Sequence, residues 1–242
     1  MNRRLQILKY VLSDSVAAAL AYFAVFTFRK TLIETKVFGD NVLVIYDQKF
    51  FLSLTIIVAF WLALYVITGV NRSIYRRSRL KEFTQTFTLS LLGNIFLFFS
   101  ILLDDFIDSY KSYYLSFSIL FGTHFTLTAF GRLMLSTLTA NRIHSRKLGF
   151  NTLIIGSNDN ALNLYRDLES QRKSSGFFIK GFVHINGGKN HALEGQLPHL
   201  GHFRDIDEII EKEGIDDVII ALETNEHDKI GQILNVLDGT SI

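Results

Sequence analysis

Apolar residues concentrate in the first half of the chain, in four long runs separated by polar segments. The runs 50–70, 83–103 and 112–131 contain no Asp, Glu, Lys or Arg, and the run 10–28 is interrupted only by Asp14. About 20 helical residues cross a hydrocarbon core of roughly 30 Å. The pattern therefore predicts a membrane protein with four transmembrane helices.

From residue 151 the pattern changes to short apolar strands that alternate with helices. Strands are predicted over 151–155, 179–183 and 217–222, and helices over 161–171, 205–213 and 226–237. This order predicts an α/β Rossmann-like domain with a parallel sheet. Because Gly239 stands where a helix C-cap belongs and three residues follow it, the sheet is expected to be incomplete at its C-terminal end.

Three regions follow from these patterns. A four-helix transmembrane region is expected over residues 1–135, a basic linker over 136–150 and the truncated Rossmann-like domain over 151–242. The segment 71–82 is basic, whereas 104–111 carries three Asp and one Lys. Since positive segments favour the cytoplasmic side, both termini are expected to be cytoplasmic.

The basic segment between the second and third runs also has candidate chemistry. Its cations alternate with apolar and aromatic side chains directly beside a predicted span, so they can contact the phosphates of anionic lipids. Topology alone would also explain the basic charge. The candidate membrane and phosphate contacts are Arg72, Tyr75, Arg76, Arg77 and Arg79.

A glycine loop follows the first predicted strand. Gly156, Ser157 and Asn158 begin a run that resembles G-x-G-x-x-A, and they are the candidate cofactor-binding residues. Asn158 replaces the second glycine, which lets the backbone approach a pyrophosphate, and the second strand ends at His184 where an acidic residue would hold a ribose. We therefore favour a structural turn over a dinucleotide site.

Composition and the remaining polar residues exclude several classes of function. The formal net charge of +2 does not indicate a nucleic-acid binder, and the lack of Cys excludes disulfides and thiolate chemistry. The four histidines from residue 184 onwards lack the spacing of a zinc site and are expected in a solvated loop. They are His184, His191, His199 and His202. The sequence predicts neither a catalytic nor a metal-binding residue.

Two polar residues lie inside predicted spans. Asp14 and His124 are costly in a hydrocarbon environment, where such groups usually face the bundle interior or a partner. Asp14 is interpreted either as half of a structural ion pair or as part of a transport site. No series of relay residues is evident beside either of them.

Together these features resemble a known family. The four spans, the Tyr75-Arg76 element, the basic linker and the segments NTLIIGSNDNALNLYRDLE, IKGFV and LGHFRDIDEIIEKEGIDDVIIAL look like the N-terminal part of bacterial polyprenyl-phosphate glycosyl-1-phosphate transferases. The resemblance implies the membrane-anchoring and regulatory region of an enzyme that moves a sugar 1-phosphate from a nucleotide sugar to undecaprenyl phosphate. That reaction starts exopolysaccharide or O-antigen synthesis.

The same resemblance sets what this chain is expected to lack. The Lys-Arg-x-x-Asp segment, Asp-Glu pair and Pro-Arg-Pro segment of the catalytic domain have no match, so residues 1–242 alone are expected to be inactive. No cofactor is expected in this chain, and Mg²⁺ is expected for the absent catalytic domain. The expected location is the bacterial inner membrane, and the expected partners are the lipid bilayer, polyprenyl phosphate and further copies in a homo-oligomer, with no nucleic acid.

Two alternatives stay open on the sequence. The same layout occurs in membrane-bound nucleotide-sugar dehydratases and epimerases, which continue into a second dinucleotide-binding domain. A stand-alone membrane sensor with a ligand-binding α/β domain is the other.

Overall fold

The chain divides into two compact units, Asn2–Thr139 and Ala140–Ile242. A computed structural model describes residues 3–35, 44–70, 78–102, 110–185, 192–222 and 229–238.

Helices form the first unit, and each contains most of one predicted span. They are α1 (Arg3–Phe28), α2 (Gln48–Ile67), α3 (Arg79–Leu97) and α4 (Tyr110–His144), with π-helical turns at Arg29–Glu34 and Phe98–Leu102. The last five residues of α4 belong to the second unit. Asp47 caps α2 by accepting a hydrogen bond from the Phe50 backbone N–H, which satisfies one of the donors left free at a helix N-terminus.

Three helical stretches of the described chain are long and apolar enough to cross a membrane. They are Arg4–Leu32, Gln48–Ile67 and Arg79–Ser100. The fourth predicted span, 112–131, lies within α4, and its crossing of a membrane stays a prediction. Because α4 continues to His144, much of the predicted linker 136–150 is helical.

Close helix contacts in this unit depend on small residues. A Cβ on Gly93 of α3 would lie 2.5 Å from the ring of Trp61 on α2, and a Cβ on Gly131 of α4 would collide with the Ser13 hydroxyl on α1. Small residues let helix backbones approach closely where the hydrophobic effect contributes little to association. Trp61 itself is almost fully buried.

The second unit is built on a parallel sheet, as predicted. Its strands are β1 (Phe150–Ile155), β2 (Phe177–His184), β3 (His199–His202) and β4 (Asp217–Ile220), in the order β3-β2-β1-β4. Its helices are α5 (Asp159–Ser170), α6 (Ile206–Glu213) and α7 (Ile230–Asp238). The three predicted strands and three predicted helices are confirmed apart from their ends, and β3 is an additional strand.

Both faces of the sheet are covered. Leu153 and Ile155 of β1 pack with residues of α6 and α7, whereas Ile154 between them packs with Ala161 of α5. Successive strand residues point to opposite faces, so the last three residues of β1, Leu153 to Ile155, are all apolar. The strand order 3-2-1-4 occurs in doubly wound folds, in which ligands bind beyond the carboxyl ends of the strands.

Candidate functional site

The glycine loop begins where β1 ends. Gly156 has a φ of +126°, and its N–H donates to the Val183 carbonyl of β2 at 2.9 Å. A Cβ on Gly156 would collide with the Ala221 carbonyl oxygen, which directly follows β4. Glycine is therefore required here by the close approach of the two strand ends as well as by the backbone angle.

The second and third loop residues fasten the turn to its surroundings. The Ser157 carbonyl accepts a hydrogen bond from the Ala192 N–H at 2.8 Å. Asn158 is the N-cap of α5, and its Oδ1 accepts from the Ala161 N–H at 2.9 Å. In dinucleotide-binding folds such a helix N-terminus faces the pyrophosphate. Here the Asn158 side chain already accepts a hydrogen bond from one of the backbone N–H groups at this terminus, as expected of a structural turn.

Three of the four histidines do not lie in a solvated loop, so that interpretation is wrong for them. His184 ends β2 and is buried, while His199 and His202 begin and end β3. The ring centroid of His184 lies 4.6 Å from that of His199 and 4.2 Å from that of His202. Parallel pairing of β2 with β3 produces this cluster, because it sets His184 opposite His202. His191 lies outside the described residues.

The histidine cluster lies at the carboxyl edge of the sheet, beside the predicted ligand side of a doubly wound fold. Within the described ranges, no group of His, Asp and Glu is arranged to hold a metal ion. The signal for the cluster in the sequence is the segment HLGH, with a histidine at each end. This signal is weak, because the segment carries only one strongly apolar residue and so is hard to recognise as a strand.

The helical unit contains a buried ion pair. Arg132 of α4 donates to Asp14 of α1 through Nε at 2.9 Å and Nη2 at 2.6 Å, and both side chains are only 1% exposed. The Arg132 guanidinium also lies 4.4 Å from the ring centroid of Tyr65. Of the two interpretations of Asp14, the structure supports the structural ion pair.

His124 faces the interior of the same unit. Its ring stacks on Trp61 with a centroid distance of 3.7 Å, and its Nε2 lies 3.4 Å from the Thr128 hydroxyl. The position agrees with the rule that polar groups inside predicted spans face the bundle interior.

Most of the basic segment lies beyond what the structure describes. Arg72, Tyr75, Arg76 and Arg77 fall in that segment, and their contact with phosphates stays a prediction. Arg79 is exposed and is the first residue of α3, whose N-terminus is capped by Ser78.

Comparison with known proteins gives one family. A family model described as a CoA-binding domain matches residues 71–242, which include α3, α4 and every described element of the α/β unit. No curated protein matches the chain.

Proposed function

This chain belongs to the CoA-binding domain family, which occurs in polyprenyl-phosphate sugar transferases, and we propose that it is the membrane-anchoring and regulatory region of such an enzyme. The complete enzyme would move a sugar 1-phosphate from a nucleotide sugar to undecaprenyl phosphate and so start exopolysaccharide or O-antigen synthesis. The observation that carries the proposal is the succession, in one chain, of apolar helices and the parallel α/β sheet of this family.

The proposed division of labour follows from the chemistry. Transfer of a sugar phosphate to a lipid phosphate requires a positioned carboxylate and a metal ion or cationic clamp. The motifs that would supply them in the resembled transferases have no match in residues 1–242. We therefore assign the reaction and its Mg²⁺ to a further domain, and anchoring and regulation to this region.

The glycine loop is proposed to have a structural role. Asn158 caps α5 with its own side chain, and Gly156 is fixed by the contact with Ala221. This loop is better suited to holding the sheet together than to placing a redox dinucleotide. We further propose that Arg79 and the basic segment before it contact the phosphate of the polyprenyl acceptor at the cytoplasmic face.

The test is a radiolabel assay in membranes. Cells that express residues 1–242 should incorporate no more labelled sugar phosphate into lipid than vector controls. The extended reading frame should incorporate it and release nucleoside monophosphate. A Gly156→Val change in the extended protein should alter the activity without abolishing it, because it perturbs the regulatory domain only.

Three outcomes would overturn the proposal. Lipid loading by residues 1–242 alone would show that the chain is catalytic. An extended protein that dehydrates or epimerises its nucleotide sugar without loading lipid would identify the other class of membrane enzyme. An extended protein whose activity is unaffected by loss of the α/β fold would contradict the regulatory role.

A further inference from the structure

Four polar residues lie on one face of α3 at a constant spacing of four. Glu82, Thr86, Ser90 and Asn94 are each at most 2% exposed, although α3 is apolar enough to cross a membrane. A spacing of four residues advances an α-helix by about 6 Å, so the four side chains form a line of roughly 18 Å. We refer to them as the α3 polar stripe.

The oxygens of this stripe are incompletely satisfied. Among the described residues, Oε2 of Glu82, the hydroxyls of Thr86 and Ser90, and Oδ1 of Asn94 have no hydrogen-bond partner. A buried polar atom without a partner costs several kcal/mol in a hydrocarbon environment, on the order of 2–7 kcal/mol by transfer measurements. Four such atoms in one line therefore indicate a site for a ligand or for solvent.

The helix that carries the stripe packs against α4, with Glu82 close to Arg132. Aromatic contacts fix the register of the two helices, since the Phe83 and Phe125 ring centroids lie 5.5 Å apart and those of Phe87 and Phe121 lie 5.7 Å apart. This register sets Glu82 near the Arg132 end of α4, and the Glu82 carboxylate acts electrostatically on Arg132.

The charges of these buried groups do not balance. Asp14 and Glu82 are carboxylates, and Arg132 is the cation that faces them, already bound to Asp14 through two hydrogen bonds. Among the described residues, the other titratable groups near this site are Tyr65 on α2 and His124 on α4, both neutral in their ordinary buried forms, whereas Arg79 and Lys81 of α3 are exposed. Within this part of the chain, Glu82 thus contributes one negative charge that no second buried cation compensates.

We propose that the helical unit binds one monovalent cation, a proton or an alkali-metal ion, at Glu82. Thr86, one turn further along α3, provides the nearest other oxygen of the stripe, and oxygen atoms are the ligands that hard cations prefer. A proton would reside on the carboxylate itself and convert it into a hydrogen-bond donor toward the Thr86 hydroxyl. In both cases the bound charge compensates the excess carboxylate without disturbing the Asp14–Arg132 pair.

The stripe ends in an apolar layer, which favours binding over conduction. Beyond Asn94, the next inward residue of α3 is Leu97, which is buried. Phe98 contacts Phe117 with a centroid distance of 5.5 Å, and Leu120 packs against Val25 in the same layer. The stripe itself has no residue beyond Asn94, and the buried polar residue of α4 beside this layer is Ser116, which carries no charge. We therefore expect a site that is reached from the Glu82 end.

The chain carries an internal reporter of this site. Trp61 is its only tryptophan, and it stacks on His124 and lies 5.9 Å from the ring of Tyr65. The Tyr65 ring in turn contacts Arg132. A change of charge at Glu82 is therefore expected to reach Trp61 through Arg132 and Tyr65, and to alter its fluorescence.

The experiment uses the full chain in zwitterionic lipid nanodiscs. Infrared spectra report the carbonyl stretch of a protonated buried carboxylic acid, and Trp61 fluorescence is titrated with NaCl or KCl against a bulky organic cation at constant ionic strength. The test variant is Glu82→Gln. The matched control is Glu169→Gln, which removes a surface carboxylate of the α/β unit that pairs with Arg146.

The two sources of charge give different results. If the cation is a proton, the acid carbonyl band is present in the wild type and in Glu169→Gln and is lost in Glu82→Gln. If it is an alkali-metal ion, a saturable fluorescence change is seen in the first two proteins and is lost in Glu82→Gln. Spectra and titrations that are the same in all three proteins would overturn the proposal.

A second variant guards against misfolding of Glu82→Gln. Thr86→Val keeps the carboxylate and removes the stripe oxygen nearest to it, so it should shift the acid band or raise the alkali-ion midpoint about tenfold, the effect of one lost hydrogen bond. A band and midpoint identical to those of the wild type would refute the role of the stripe. Proton or sodium flux into vesicles above that of empty vesicles would refute binding without conduction.

Discussion

Gly156→Ala should destabilise the α/β unit far more than Gly195→Ala, although both glycines have a positive φ. Gly156 has a φ of +126° and Gly195 one of +83°, so alanine at either position carries a backbone cost of about 1–3 kcal/mol. Only at Gly156 would the new Cβ meet a backbone atom, the Ala221 carbonyl oxygen, because nothing lies within 4 Å of a Cβ on Gly195. Overpacking of this kind adds about 1–3 kcal/mol.

The difference between the two variants isolates the contact between β1 and β4. A difference of about 2 kcal/mol corresponds to roughly thirtyfold faster amide exchange through the same opening, since each 1.4 kcal/mol is a factor of ten. Hydrogen exchange of the full chain in nanodiscs, read on peptides that cover Phe150–Ile155 and Asp217–Ile220, measures it. Equal loss of protection in both variants would refute the steric reasoning. Unchanged protection in Gly156→Ala would show that the glycine serves a ligand rather than the sheet.

Three further predictions address the Asp14–Arg132 ion pair, the membrane topology and the glycine loop. Asp14→Asn and Arg132→Gln should each cost about 3–5 kcal/mol in the unfolding of the helical unit, and the double variant less than their sum, because each single change leaves a buried charge unpaired. In intact cells a cysteine at Ser78 should resist an impermeant thiol reagent while one at Ser109 reacts, since the basic segment favours the cytoplasm. Calorimetry of the purified chain should show no saturable NAD or NADP binding, because Asn158 caps α5.

Each of these has a contradicting result. Additive effects of the two pair variants in a double-mutant cycle would show that the ion pair contributes no coupling. The opposite labelling pattern would invert the orientation. Micromolar binding of either dinucleotide, lost when Gly156 is made bulky, would restore the glycine loop as a nucleotide site.

How far the sequence predicts the sheet depends on the kind of strand. β1 and β4 end in apolar runs followed by turn residues, because both of their faces are covered, and such runs are recognisable without a structure. β3 is an edge strand of four residues with two exposed histidines, so its own composition carries little signal. Its strand conformation is imposed by pairing with β2, which only the fold reveals.

The helical unit shows the same division between local and long-range information. The runs without charged residues predict the helices, because length and hydropathy are local properties. The partner of Asp14 is Arg132, 118 residues away in sequence, and a contact at that separation requires the helix packing. The α3 polar stripe is not visible to a count of charged residues, because Thr86, Ser90 and Asn94 are uncharged. Their spacing of four residues is the signal in the sequence that places them on one helix face.

The capping of α5 by Asn158 bears on when the α/β domain is folded in the cell. When the N-terminal N–H groups of a helix are satisfied only by the phosphate of a bound metabolite, that metabolite supplies part of the stability of the helix. The folded fraction of such a domain therefore rises with the concentration of the metabolite. α5 carries its own acceptor in the Asn158 amide oxygen, and such caps contribute about 0.5–2 kcal/mol. The first turn of α5 therefore does not depend on a bound phosphate to satisfy this donor. The folded fraction of the domain should accordingly stay nearly constant when the concentration of nucleotide changes.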